Sequence, residues 1–265
     1  MDTPASQPAE PPLAIASSGG IAILTLNRPR AFNALSSALL DALHAAMDQL
    51  AVDPAVRVIV IAGSGKAFCA GHDLKEMQAA NDAAFVQKLF ARCSAFMMKI
   101  AEAPVPVIAE VNGMATAAGC QLVAQADLAV AADTATFAVS GVNLGLFCST
   151  PAVPLSRVLT KKRAAEMLMT GEFIDAGRAL EWGLVNRVAP AGELRETTLA
   201  LCKTLIAKPR STLALGKSLF HRQLDMGLHA AYQDASNTIA CNFMQPDAQE
   251  GVQAFLEKRP PRCPQ

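Results

Sequence analysis

Short apolar runs separated by helix-forming segments constrain the fold of this chain more than any other sequence feature does. Two of them, at 56–62 (VRVIVIA) and 104–111 (PVPVIAEV), are apolar at nearly every position. A strand has this composition when both of its faces are buried, as in a parallel sheet covered by helices. Further strands are predicted at 21–27 and 127–131, and segments with helical spacing lie between the strands. This alternation predicts an α/β fold with a parallel sheet.

The last quarter of the chain is predicted to be helical. Helices without intervening strands are expected at 192–207, 210–226, 228–243 and 247–257. We therefore expect a flexible leader at 1–14, an α/β core domain at 15–200 and a helical C-terminal region at 201–265.

The first twelve residues are rich in proline, alanine and serine. They lack the basic and apolar segments of a secretory signal and the arginines of a transit peptide. No apolar run reaches the roughly 18 residues that a membrane span needs. These features predict a cytoplasmic protein with no membrane partner.

Charge and cysteine usage exclude several functional classes. The 265 residues include 23 Lys and Arg against 23 Asp and Glu, which gives no electrostatic reason to expect a nucleic-acid partner. The seven cysteines are isolated, and with the four histidines they form no cluster at metal-ligand spacing. We expect no metal site and mostly buried free thiols. The charged fraction of only 17 % favours a surface partly covered by sister subunits.

Two loops rich in small residues each follow a predicted buried strand and lead into a helix. They are 67–74 (AFCAGHDL) and 112–121 (NGMATAAGCQ). Small residues let backbone N–H groups approach a ligand, and a helix N-terminus behind them favours a developing oxyanion. Tight packing at a strand–helix turn is the alternative reason for such a composition, and each loop alone leaves both open.

Several segments in order along the chain resemble the enoyl-CoA hydratase/isomerase (crotonase) superfamily. FCAGHDLKEM is similar to the family signature F-x-A-G-x-D-[LI]-x-E-M. PVIAEVNGMATAAGCQLVAQADLAVA and FAVSGVNLGL resemble the next two family stretches, and MLMTGEFIDAGRALEWGLVNRVAP and EGVQAFLEKRPP resemble the last two. The resemblance extends from about 21 to 262.

The resemblance implies a crotonase fold, in which a spiral core of repeated ββα units carries a helical C-terminal trimerisation region. It further implies an acyl-CoA ligand, no cofactor beyond the coenzyme A of the substrate, and a homotrimer or a hexamer built as a dimer of trimers. In the family, two backbone amides form an oxyanion hole for the thioester. The matching positions are His72 and Ala118, the latter in place of the usual glycine.

The remaining site residues also come from the resemblance. Contacts to the substrate or its coenzyme A are implied for Arg28, Arg30, Ala31, Ala70, Asp73, Leu74, Asn143 and Lys258. Lys258 is implied to reach the coenzyme A phosphates, often across a subunit boundary, and the family position of Asp73 is also implied to serve loop structure and helix capping. For Arg30 and Lys258, a solvated charge without a ligand is the alternative interpretation.

The chain departs from the family at both hydratase glutamates. Gln121 and Gly141 occupy their positions, and neither side chain can exchange a proton at neutral pH. Removing one positioned acid–base group costs about 10²–10⁴ in rate, so hydration by two carboxylates is not expected.

This departure leaves two classes of function. One is an acyl-CoA enzyme with another reaction, such as decarboxylation, hydrolysis or isomerisation, and the other is a catalytically silent acyl-CoA-binding protein. The His72 imidazole is either a substitute acid–base group or a side chain directed away from the site. Cys148 is either a nucleophile or, more simply, a buried structural thiol.

Overall fold

The computed structural model describes residues 10–262 of the chain, and it contains ten strands and eleven helices there. The strands are β1 Leu13–Ser18, β2 Ile21–Leu26, β3 Val58–Gly63, β4 Ala67–Cys69, β5 Val107–Val111, β6 Met114–Thr116, β7 Leu128–Ala132, β8 Thr136–Ala138, β9 Ile174–Asp175 and β10 Arg187–Ala189. The helices are α1 Ser37–Val52, α2 Leu74–Ala80, α3 Ala83–Glu102, α4 Ala118–Gln125, α5 Ser149–Val158, α6 Lys161–Thr170, α7 Ala176–Trp182, α8 Leu194–Ile206, α9 Arg210–Gln223, α10 Leu228–Phe243 and α11 Pro246–Leu256.

Two sheets organise the core. The larger has the order β1-β2-β3-β5-β7-β10, with an antiparallel β1–β2 pair and parallel pairs elsewhere. The smaller has the order β4-β6-β8-β9, in which only β9 is antiparallel. A long strand of the first sheet is followed three times by a short strand of the second and then by helix, as in β5-β6-α4. This repeated ββα unit explains why the predicted runs at 56–62 and 104–111 are apolar on both faces.

Some predicted boundaries are wrong. Leu13 and Ala14, expected in the leader, belong to β1, because Leu13 is buried and pairs with Leu26. The rest of the predicted leader, 1–9, lies outside the described residues. Sequence patterns also missed the short strands β4, β6, β8 and β9, which are too brief for a periodic signal. Ser36 caps α1, since its hydroxyl accepts a hydrogen bond from the Leu39 amide at 3.3 Å.

The C-terminal region is helical, as predicted. Helices α9, α10 and α11 bury only Ala254 among them. Large apolar side chains project from these helices into solvent, and we call this set the C-terminal apolar face: Phe220, Leu224, Leu228, Tyr232, Ile239, Phe243, Met244, Phe255 and Leu256. An exposed apolar surface of this kind marks an interaction site.

None of the helices between residues 10 and 262 has the length and apolar content that a bilayer crossing needs. Over the same range, no three His, Cys, Asp or Glu side chains come together in a way that would hold a metal ion.

Candidate active site

A cavity of about 530 Å³ lies where the two predicted loops meet α2, α3 and the start of α5. Its wall is mostly apolar and is formed by Ala70, His72, Leu74, Met77, Val86, Phe90, Ala117, Ala118, Ser140, Gly141, Leu144, Gly145, Leu146, Phe147, Cys148, Ser149, Thr150 and Pro151. Five residues predicted for the site therefore meet at one place: Ala70, His72, Leu74, Ala118 and Gly141.

The backbone amide of His72 is directed away from its neighbouring segment. Leu35 forms a parallel bridge with His72, in which the Leu35 amide donates to the Gly71 carbonyl at 2.7 Å and the Asp73 amide donates to the Leu35 carbonyl at 3.2 Å. In a parallel bridge, when the residues before and after a position make the hydrogen bonds, the residue between them points its own N–H and C=O away from the partner segment. Accordingly, the His72 amide has no hydrogen-bond acceptor within residues 10–262.

The amide of Ala118 lies directly beside this segment. Ala118 is the first residue of α4, so its N–H has no acceptor within the helix. A Cβ atom placed on Gly71 would lie 3.2 Å from the Ala118 nitrogen, and the Thr116 hydroxyl donates to the Ala70 carbonyl at 3.0 Å. Two free amides from separate loops therefore lie close together at the cavity wall.

An ion pair fixes the loop that carries His72. The Arg28 guanidinium binds the Asp73 carboxylate at 2.8 Å and also donates to the Ala34 carbonyl. Asp73 in turn caps α2, because its other oxygen accepts from the amides of Lys75 and Glu76. Burial opposes ionisation of this carboxyl, but the hydrogen bonds from Arg28 and the amides outweigh it and lower the pKa of Asp73. Arg28 and Asp73 thus position the loop and do not line the cavity.

Asn33 is a positioning residue that the sequence analysis missed. It is fully buried in a left-handed conformation with φ of 56°. Its amide group donates to the carbonyls of Ser64 and Ala67, each at 2.8 Å, while its oxygen accepts from the Arg28 amide. An asparagine between two apolar residues in a polar turn was the available signal, since this side chain tolerates the left-handed region and bonds nearby backbone.

The His72 ring lies in the cavity wall against Phe90, with the ring centroids 4.4 Å apart. Its Nε2 atom is buried without a hydrogen-bond partner among the residues that the structure describes. Burial lowers the pKa of His72 to about 4. The imidazole is therefore neutral at pH 7, where it can accept a proton only weakly.

The two positions of the hydratase glutamates differ in their surroundings. Gln121 is buried on α4, its Oε1 atom has no partner within the described chain, and it is not part of the cavity wall. Gly141 is in the wall, but a Cβ atom there would lie 2.5 Å from the Leu146 carbonyl oxygen and 2.8 Å from the Cys148 sulfur. No side chain fits at position 141 without a shift of this loop.

Besides Arg28 and Asp73, four further predicted ligand contacts do not reach the cavity of this chain. Arg30 and Ala31 are in the short 3-10 turn Pro29–Ala31, outside the wall. Asn143 is exposed and its amide donates to the Gly171 carbonyl at 3.4 Å, at the end of α6. Lys258 is exposed beyond α11. Within one chain, these residues are placed by turns and helix ends that face other directions.

Cys148 is in the wall, and its environment disfavours a thiolate. Burial raises the pKa of its thiol, against a weaker opposing effect of the Gly141 amide. Burial also raises the pKa values of Cys69, Cys93 and Cys120 to about 12. The structural reading of these cysteines is therefore favoured, while Cys263 lies outside the described residues.

A family model for enoyl-CoA hydratase/isomerase matches residues 16–265. The chain belongs to the enoyl-CoA hydratase/isomerase family. The mouse enoyl-CoA hydratase domain-containing protein 3 is 45 % identical over 259 residues, which cover 97 % of this chain and 86 % of the mouse protein.

Solved structures of this family confirm the predicted crotonase fold. An enoyl-CoA hydratase from Mycobacterium smegmatis has a TM-score of 0.94 and 56 % identity, covering 96 % of this chain and 99 % of that one. The human enoyl-CoA hydratase domain-containing protein 3 has a TM-score of 0.92 and 44 % identity, covering 95 % and 100 %.

The names of the relatives correct one prediction. The mouse protein and its rat and human counterparts are described as mitochondrial. The cytoplasmic location predicted from the N-terminal composition is therefore wrong, since that prediction depended only on the absence of a recognisable targeting pattern.

Proposed function

We propose that this family member binds an acyl-CoA thioester in the cavity and polarises the thioester carbonyl between the amides of His72 and Ala118. The observation that carries the proposal is the pair of free amides, turned outward by the Leu35 bridge and by the start of α4. Two fixed N–H donors stabilise the oxyanion of an enolate or a tetrahedral intermediate. Each such donor is worth about 10²–10³ in rate.

The reaction is proposed to be one other than hydration by two carboxylates. Gly141 offers no proton-transfer group and Gln121 is an amide outside the wall. The neutral His72 imidazole is the one remaining proton acceptor in the wall, and its low pKa makes it a weak base. Isomerisation or hydrolysis of an acyl-CoA fits these groups better.

A silent acyl-CoA-binding protein is the second candidate. The tight loop around Gly141 favours this candidate, because it leaves no room for an acid–base side chain at position 141 although the cavity itself is formed. The two candidates share the ligand and differ in whether bound substrate turns over.

The first experiment measures carbonyl polarisation directly. Hexadienoyl-CoA is conjugated to its thioester, so its absorbance moves to longer wavelength when the carbonyl accepts strong hydrogen bonds. We expect this shift on binding to the wild-type protein. In Gly71→Ala the new methyl group would lie 2.9 Å from the Ala117 Cβ and 3.2 Å from the Ala118 nitrogen, so the amides separate and the shift is lost.

Gly183→Ala is the matched control, because Gly183 also has a positive φ but a methyl group added there would have no atom within 4 Å. It should keep the full spectral shift. A shift that survives in Gly71→Ala, or an absence of thioester binding to the wild-type protein, contradicts the proposal. Crotonyl-CoA hydration is assayed in parallel, and turnover within the usual enzyme range of about 1–10³ per second would contradict the exclusion of hydration.

For assembly, we propose that the C-terminal apolar face packs against sister chains in a trimer or a dimer of trimers. Its nine large exposed apolar residues support an interface between chains, and the helices that carry them bury almost nothing within one chain.

A further inference from the structure

The cavity wall contains no formally charged side chain. Among its eighteen residues there is no Asp, Glu, Lys or Arg. The one histidine, His72, is kept neutral at pH 7 by burial, which lowers its pKa to about 4. The thiol of Cys148 is neutral for the same reason, since burial raises its pKa. The wall is therefore electrically neutral at physiological pH, whatever reaction takes place there.

Apart from the neutral His72 imidazole and the neutral Cys148 thiol, the polar side chains of the wall carry hydroxyls, and two free backbone amides lie beside them. The Ser140 hydroxyl is in the 3-10 turn Ser140–Leu144, and the Ser149 and Thr150 hydroxyls are on the first two residues of α5. The Ser149 hydroxyl already donates to the Phe147 carbonyl at 3.3 Å. Hydroxyls hydrogen-bond a neutral carbonyl or alcohol, but they do not balance a full negative charge that has lost its water.

We propose that this cavity selects acyl-CoA thioesters with an uncharged acyl group and rejects those that carry a carboxylate on the acyl group. The inference rests on the proposed function, in which the amides of His72 and Ala118 are occupied by the thioester oxygen. A carboxylate beside that oxygen would face a wall in which Met77, Val86 and Phe90 are apolar and none of the described lining residues is a cation. Decarboxylation requires such a group in the site, so we expect its substrates to be rejected at the binding step.

Two thioesters of nearly equal shape test this selectivity. Acetoacetyl-CoA and malonyl-CoA differ only in a methyl group that replaces one carboxylate oxygen, so coenzyme A contacts and size are matched. Calorimetric titration slightly below neutral pH keeps the acetoacetyl group in its keto form and the malonyl group ionised. We expect malonyl-CoA to bind at least about 100-fold more weakly, because its carboxylate is desolvated without a partner. Equal or tighter binding of malonyl-CoA overturns the inference.

A positive charge introduced into the wall tests whether the lack of a cation causes the selectivity. Met77 is half-buried on α2 and unbranched, so Met77→Lys preserves the shape of the wall while adding a cation, and Met77→Leu is the neutral control. We expect Met77→Lys to raise malonyl-CoA affinity at least about tenfold by pairing with the carboxylate, and Met77→Leu to leave the selectivity unchanged. If the wild-type protein discriminates against malonyl-CoA but Met77→Lys does not raise the malonyl-CoA affinity, the missing cation is not the cause of the selectivity.

The outcomes separate this inference from the proposed function. If neither thioester binds to the folded wild-type protein, the proposed function fails and this inference fails with it. If both bind equally, the proposed function stands and only the selectivity is refuted.

Discussion

At the scale of single residues, the loop before α4 holds an alanine in a conformation that glycine favours. Ala117 has φ of 49° and ψ of −117°, a region that side chains with a Cβ rarely occupy. Such a conformation costs about 1–3 kcal/mol and persists only where the surroundings impose it. Here the Ala117 amide donates to the Ala138 carbonyl, and Gly119 packs so tightly on Cys69 that a Cβ atom would lie 2.0 Å from its carbonyl oxygen. The contacts that impose this conformation on Ala117 therefore also fix the direction of the next amide, that of Ala118.

Gly141→Ala is expected to destabilise the fold by about 1–3 kcal/mol, because the methyl group would meet the Leu146 carbonyl and the Cys148 sulfur. Gly192→Ala is the matched control: Gly192 is also in a 3-10 turn, and an added methyl group there meets no atom within 4 Å. Its free energy of unfolding should change by at most about 0.5 kcal/mol. Urea unfolding of both variants measures the difference, and equal effects would show that the loop at 141 has room.

The burial of the His72 imidazole is expected to make the folded protein less stable in mild acid. The unfolded imidazole takes up a proton near pH 6.5, whereas burial lowers the pKa of the folded one to about 4. The unfolded state therefore binds more protons in this interval, and stability falls as pH decreases through it, by up to about 3 kcal/mol. His72→Gln should lose less stability than the wild type between pH 7 and pH 4, as measured by urea unfolding. A substitution of the exposed His229 to Gln should retain the full loss, and an identical loss in His72→Gln would contradict the prediction.

At the scale of elements, the site depends on how α2 is joined to the loop before α1. The Arg28–Asp73 pair and the Leu35 bridge hold these segments together, while the buried Asn33 side chain fixes the loop before α1 to the β3–β4 turn. Two separate interactions thus act on the peptide that presents the His72 amide, and Arg28, Leu35 and Asp73 lie outside the cavity wall. The geometry of the amide pair is a property of this junction.

Asp73→Asn separates the helix cap from the ion pair, because asparagine and aspartate cap helices equally well but asparagine forms no ion pair with Arg28. We expect a loss of about 1 kcal/mol at pH 7 and a weaker carbonyl polarisation. Since the pKa of Asp73 is lowered on folding, its contribution is present above its ordinary value of 3.8 and is lost as pH falls below it. The difference between wild type and variant should therefore shrink in acid. Asp82→Asn, at the cap of α3 and outside any ion pair of the described chain, should change little at either pH.

The sequence predicted the long elements and missed the short ones, for a physical reason. The helix 228–243 was predicted with the bounds that the structure shows, because its many turns give a clear period. Three-residue strands such as Ala67–Cys69 and Met114–Thr116 give no period, although they carry the loops of the site. The amides at 72 and 118 came only from the family resemblance, since a backbone donor leaves no side-chain signal. The closed loop at Gly141 depends on contacts with Leu146 and Cys148 that no local pattern encodes.

At the scale of the whole molecule, the C-terminal region is joined to the core through a buried cation. The Lys217 ammonium on α9 donates to the carbonyls of Ile100 and Val105 at 2.7 and 3.1 Å and binds the Asp127 carboxylate at 2.6 Å. Burial lowers the pKa of Lys217, although the pairing with Asp127 opposes this. The C-terminal apolar face of α9, α10 and α11 remains exposed to solvent.

Tyr232→Glu is expected to weaken assembly, because it places a charge in the exposed apolar stripe of α10. The wild-type protein should have a mass in solution that is a multiple of 27.8 kDa, three or six times, and the variant a lower mass. Gln233→Glu adds the same charge one residue along the same helix at an exposed polar position and should leave the mass unchanged. Light scattering after gel filtration measures all three, and a monomeric wild type would refute the proposed assembly.

The contacts of Gly141 also impose an order on the mutations by which this protein could regain a carboxylate there. A glutamate introduced first would meet the Leu146 carbonyl and the Cys148 sulfur, and the cost in folding would precede any gain in chemistry. Replacement of Cys148 by a smaller residue removes one of the two obstacles at little cost to the site's charge. In a directed-evolution experiment selecting for hydration, substitutions in 146–148 should therefore arise before any acidic residue at 141. The contacts of the loop around Gly141 therefore restrict the order in which substitutions can accumulate at this position.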